Sequence, residues 1–159
     1  MQGARSLPTG MTPATTRLSA GRVSILLWLL LGAFVLRVLA QILQWQIGLA
    51  FLPPFDAWQS GALPYPVLLA AQWLIVLLLA RTAWRYSRGA VSASPRAARL
   101  WLIPGSIYLL AMLTRLILGL TLLDGHAWFD RPLPSTFHLV LASFMLADGG
   151  YHLANRRAA

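Results

Sequence analysis

Residues 23–45 read VSILLWLLLGAFVLRVLAQILQW, an unbroken apolar run whose only charge is Arg37. A spanning helix needs about 17–25 predominantly apolar residues. This stretch is apolar all round rather than along one stripe, which suits lipid better than water. Working outward, three more stretches repeat the pattern, at about 67–84, 100–123 and 136–153. Four such segments leave no polar helices to cover them, so the buried core of a soluble domain is excluded.

Composition agrees. The chain has 159 residues, 58% of them hydrophobic and only 11% charged, with mean hydropathy +0.65. A soluble domain is about a quarter charged. All thirteen basic residues are Arg and all four acids are Asp, usage that points to a GC-rich, bacterial coding sequence. Cysteine is absent, which removes thiol redox catalysis, thiolate metal sites and disulfide stapling together. The net charge of +9 does not mark a nucleic-acid reader. That would need a basic face with stacking aromatics on a soluble element.

The arginines instead report orientation. Arg5, Arg17 and Arg22 precede the first span; Arg81, Arg85, Arg88, Arg96 and Arg99 surround the second loop; Arg156 and Arg157 close the chain. The opposite side holds Arg131 with Asp56, Asp124 and Asp130. This asymmetry predicts both termini inside. Trp58, Tyr65, Trp128 and Phe129 read as the outer aromatic belt, and Trp84, Tyr86, Trp101 and Tyr151 as the inner one. The sequence thus reads as an all-α integral membrane protein of a bacterial inner (plasma) membrane. Its fold is a four-helix transmembrane bundle, N-inside/C-inside, with short loops. Residues 1–22 read as a flexible cytoplasmic tail, 23–153 as the transmembrane domain and 154–159 as a basic cytoplasmic tail.

Helix punctuation supplies the limits. Pro66 suits the first position of the second helix, and Ser135 or Thr136 an N-cap of the fourth. Pro104-Gly105 marks either the start of the third helix or a kink near the membrane surface. Gly149-Gly150 marks close helix contact or a local break. The Pro-rich segment 49–65 is too short and broken to span, and reads as an interfacial stretch that caps the bundle from outside or contacts another subunit.

Polar residues inside the spans carry the functional signal. At a rise of 1.5 Å per residue, Arg37 lies roughly 21 Å and Arg115 roughly 22 Å from the inner surface. Gln72, descending from outside, reaches nearly the same level, and His138 enters just above it. Arg37, Gln41, Gln44 and Gly48 share one face of their helix, as do Tyr108, Met112, Arg115 and Gly119. An arginine in lipid is costly, so these faces should point inward. Two guanidiniums at one level call for an anion between them, from Asp56, Asp124 or Asp130 or from a ligand; the alternative is snorkelling to the outer headgroups. The candidate ligand site is therefore Arg37, Gln41, Gln72, Arg115 and His138, for an anionic or carbonyl-bearing amphiphile such as a lipid headgroup or quinone. An accessory or assembly subunit of a larger membrane complex is the alternative.

Two smaller readings remain. His138 and His152 are fourteen residues apart on one helix face, an interval suited to two haems, but only a homodimer would complete the ligand pairs. His126 would be an extra ligand. Asp148 is expected to pair with Arg81, Arg85 or Arg99. The sequence contains no metal-ligand cluster, phosphate loop, nucleophilic triad or paired-carboxylate motif, so an enzyme is the least supported class and no cofactor is assigned.

Overall fold

The computed structural model describes residues 18–59, 63–122, 129 and 131–156. Among them lie four α-helices and no strand: α1 (Ala20–Ile47), α2 (Tyr65–Ser87), α3 (Pro95–Thr121) and α4 (Pro132–Ala154). A one-turn 3-10 helix, Phe55–Trp58, interrupts the connection from α1 to α2. The expected positions in the outer loop at Asp124, His126, Trp128 and Asp130, and the terminal Arg5, Arg17 and Arg157, lie outside the described residues.

Three helices, α1, α2 and α3, are long and apolar enough to cross a membrane. The fourth is as long as α2 but is not among them. It carries Ser135, His138, Ser143, Asp148 and His152, and turns Ser135, Asp148 and His152 into the protein. Lipid-facing helices need only apolar side chains outside; a helix enclosed by others can hold polar ones.

Packing follows the order α2–α1–α4–α3, with α2 and α3 not packed directly on each other. On α1, Val23, Leu27, Leu31, Phe34 and Val38 recur at helical spacing and form the centre of the core. They meet Val76, Leu79 and Ala83 of α2 and Phe144 and Tyr151 of α4. The opposite faces present Ile25, Leu29, Leu36, Leu77, Ile107 and Leu110 outward, each more than half exposed. Neighbours run antiparallel. Ser24 of α1 meets Ser87 at the end of α2 (3.0 Å), and Asn155 Nδ2 after α4 donates to the Leu18 carbonyl before α1 (3.1 Å).

Helix limits differ from the punctuation reading. The third helix begins at Pro95 and continues past Pro104, so Pro104-Gly105 is not its start. The fourth begins at Pro132, so Pro134 and Ser135 lie within its first turns and neither Ser135 nor Thr136 is the cap. The first-turn amides have no helical partner, so proline costs nothing at several positions there, not at one alone. Gly149 marks contact rather than a break: a Cβ there would lie 2.7 Å from Leu102 Cγ and 3.0 Å from the Leu102 backbone nitrogen. The helix continues past it to Ala154. The belt reading also needs correction, because Trp58, Tyr65, Tyr86 and Tyr151 are buried in the bundle. Their polar tips serve internal contacts such as Trp58 Nε1 to the Pro53 carbonyl (3.0 Å). Trp84 alone of the inner four is more than half exposed.

Candidate ligand site

Arg37 is delivered to the half of the bundle where α1 and α3 end by its position on the core face of α1. It is 7% exposed, so it does not snorkel. Its Nη2 donates to the Trp58 carbonyl at 2.9 Å, and its guanidinium carbon lies 5.7 Å over the Phe137 ring of α4. Trp58 stacks on the same ring, centroids 6.5 Å apart and 18° from parallel. Arg131 donates to the neighbouring Gln59 carbonyl at 2.8 Å. Two arginines therefore tie the 3-10 segment over the end of α1 and the start of α4.

The expected carboxylate partner is not the one found. Among the described residues no acid lies within ion-pair distance of Arg37, Asp56 included; Asp124 and Asp130 lie outside them. A backbone carbonyl takes that place, and its oxygen is a neutral acceptor for a full charge.

Below this cap, Gln72 Nε2 of α2 donates to Gln41 Oε1 of α1 at 3.3 Å. Tyr108 of α3 hydrogen-bonds His138 Nδ1 of α4. Arg37, Gln72, Tyr108 and His138 line one cavity of about 110 Å³, walled by Trp58 above and by Phe34, Ile75 and Leu141 below. Of the five expected ligand residues, the structure brings Arg37, Gln72 and His138 to the cavity wall. Gln41 stands behind Gln72, fully buried. Arg115 is buried on α3 and its charge acts on Tyr108 and His138, but it does not line the cavity. Sequence reading placed Tyr108 on the Arg115 stripe without assigning it to the site, and passed over Phe137 and the Trp58 carbonyl. Tyr108 was legible, seven residues before Arg115 on the same helix face.

Satisfaction of polar atoms divides the bundle. Buried side-chain atoms without a hydrogen-bond partner among the described residues are Arg37 Nε, Gln41 Nε2, Gln44 Oε1, Tyr65 OH, Gln72 Oε1 and Ser135 Oγ. All belong to the end of the bundle where α1 finishes and α2 and α4 begin. Native interiors rarely leave such atoms unmatched, and each costs about 1–3 kcal/mol. Both donors and acceptors are available, together with a guanidinium that has one hydrogen-bond acceptor among the described residues. That set can hold a carbonyl or anionic oxygen by direct hydrogen bonds. It holds no nucleophile poised by a base.

The two histidines do not form a ligand pair. His138 Nδ1 is taken by Tyr108. His152 Nδ1 accepts from the Ser94 backbone N–H at 3.3 Å, and its Nε2 faces Asp148 Oδ1 at 3.4 Å. Both His152 nitrogens thus face groups of the same chain; His126 lies outside the described residues. Asp148 likewise departs from expectation. It accepts from the Tyr86 hydroxyl at 2.5 Å and lies beside His152 rather than in an ion pair with Arg81, Arg85 or Arg99. Among the described residues no group of three or more His, Asp or Glu is placed to hold a metal ion.

Compared with family models, curated proteins and solved structures, the chain matches none. Function is therefore argued from the geometry of the site.

Proposed function

We propose that this chain is a four-span inner-membrane protein, both termini cytoplasmic, that binds an amphipathic molecule by an anionic or carbonyl-bearing headgroup. Arg37 supplies the charge and the fork of donors, with Gln72 and His138 beside it and Gln41 setting the orientation of Gln72. Arg115 adds positive potential from behind Tyr108.

The observation that carries this reading is that Arg37 and Gln72, each with an unmatched buried polar atom, line one small cavity. A bound carbonyl or anionic oxygen gives Arg37 Nε the acceptor that the described residues do not, and a hydroxyl or N–H on the same headgroup would serve Gln72 Oε1, an acceptor. Two further features support an amphiphile rather than a soluble ligand. A cavity of about 110 Å³ is smaller than the roughly 300–1,000 Å³ that encloses a whole drug-sized molecule. Its walls reach α2 on one side and α3 on the other, and these two helices are not packed together. A headgroup can sit inside while its tail passes between them into the bilayer.

Native mass spectrometry of the protein in lipid nanodiscs tests the proposal. The parent chain is expected to retain a lipid or quinone through purification. Arg37→Ala should insert normally yet retain at least about tenfold less, since a hydrogen bond to a charged group contributes roughly 1.5–3 kcal/mol. Arg115→Ala should retain an intermediate amount. A ligand-free parent chain with a stoichiometric protein partner would instead establish the accessory-subunit reading, and equal retention by Arg37→Ala would sink the site.

A further inference from the structure

At the other end of the bundle a second polar cluster is built on a different plan. Asp148 and His152 lie one turn apart on α4, Tyr86 faces them from α2, and all three are buried. The Tyr86 hydroxyl donates to Asp148 Oδ1 at 2.5 Å, and His152 Nε2 stands 3.4 Å from the same oxygen. On the far side of the imidazole, the Ser94 backbone N–H donates to Nδ1 at 3.3 Å. A ring nitrogen that accepts a hydrogen bond carries no proton, so the ring proton of His152 resides on Nε2, toward Asp148. A backbone donor at the start of α3 therefore holds His152 in one neutral tautomer.

The cluster borders a cavity of about 210 Å³, lined also by Arg85, Ser92 and Trp101. Asp148 Oδ2 accepts no hydrogen bond from the described residues. The connection over this cavity is fixed at both ends. At its start, Gly89 takes the left-handed conformation (φ 64°). There Gly89 N–H bonds the Tyr86 carbonyl and Ala90 N–H the Arg85 carbonyl, which caps α2. At its end, Ser94 is held by His152.

We propose that this inner cavity is a proton-binding site in which the arrival of a proton on His152 Nδ1 detaches Ser94 and opens the connection between α2 and α3. The proton comes from the water phase at this end of the bundle and takes the Nδ1 lone pair. The pair becomes a carboxylate and an imidazolium, and the cluster gains one positive charge. Two N–H groups, of Ser94 and of Nδ1, then face each other, and the contact is lost. Asp148 and Tyr86 stabilise the added charge, while Arg85 on α2 opposes it. Tyr151 is the other titratable group packed here, and the lining residues Ser92, Ala97 and Trp101 contribute none. Buried Asp and His chains within membrane helices commonly mark proton paths. The site is independent of the outer ligand, so each stands or falls alone.

Imidazole nitrogen spectra of the full chain in nanodiscs, recorded over a descending series of pH values, test it directly. His152 should show the Nε2–H tautomer at the upper end and the doubly protonated ring at the lower. Over the same interval, hydrogen exchange at residues 90–94, corrected for intrinsic rates, should rise roughly three- to tenfold, the worth of one hydrogen bond. His152→Gln should make that exchange independent of pH. An Nδ1–H tautomer in the parent chain overturns the proposal even if the variant does not fold. So does an exchange profile flat across the His152 titration, or one that His152→Gln leaves unchanged.

Discussion

Arg37 shows how a cation is accommodated at membrane depth without a counter-ion among the described residues. A charged side chain at the centre of a spanning helix costs about 2.5–3.5 kcal/mol on insertion scales. Here the guanidinium meets the Trp58 carbonyl at 2.9 Å and the Phe137 ring face at 5.7 Å. The residue was legible in the sequence, because an arginine amid leucines is conspicuous. Its acceptor was not legible. Every residue has a carbonyl, and only the 3-10 turn at Phe55–Trp58 aims this one inward. The Gln41–Gln72 pair was legible in the same way, as two polar side chains at one level on adjacent helices. It also separates binding from mere packing. Replacing both partners of a buried hydrogen bond by apolar groups of similar shape is close to neutral or stabilising. The double variant Gln41→Leu/Gln72→Leu should therefore unfold at the same or a higher temperature than the parent, yet lose the retained amphiphile. Equal retention in the double variant would assign the pair to structure alone.

Helices were legible from apolar runs; their ends were not, because proline and serine signals recur within the first turn of a helix without choosing a position. The contrast between Gly149 and Gly150 is likewise invisible in sequence, where the two are adjacent and chemically identical. A Cβ at Gly149 would meet Leu102 at 2.7 Å, whereas nothing lies within 4 Å of one at Gly150. The α3–α4 interface also closes over Gly105, whose added Cβ would meet Met145 Cβ at 3.1 Å. Small residues at such crossings let helix backbones approach where lipid supplies no hydrophobic drive. Gly149→Ala should thus destabilise by about 1–3 kcal/mol, the usual cost of overpacking. Gly150→Ala should be neutral or stabilising by up to about 1 kcal/mol through helix propensity. Reversible unfolding of the two variants in mixed micelles measures both, and the reverse ranking would show that α3 and α4 do not meet as described.

For the whole molecule, the arginine asymmetry and the helix order make one claim together. Arg22, Arg81, Arg85, Arg88, Arg96, Arg99 and Arg156 all fall at the end of the bundle where α1 and α3 begin and α2 and α4 finish. Three spans would carry the end of α4 to the side opposite the start of α1; four return it. Polar residues of α4 face inward, Ser135 at 1% and Asp148 at 2% exposure, so they lower the average hydropathy of the helix without making its outward surface polar. The Asn155–Leu18 hydrogen bond of 3.1 Å joins the two ends in question and fits four crossings. Because the chain contains no cysteine, single replacements report sidedness without a background. Ser19→Cys, Ser92→Cys and Asn155→Cys should react with a membrane-impermeant maleimide only in inverted vesicles. Asp56→Cys and Thr136→Cys should react only in right-side-out ones. Labelling of Asn155→Cys from the same side as Asp56→Cys would reduce the count to three spans. Asp148 and His152 would then no longer share a membrane face with Ser94, and the Ser94–His152 hydrogen bond on which the inner site depends could not form.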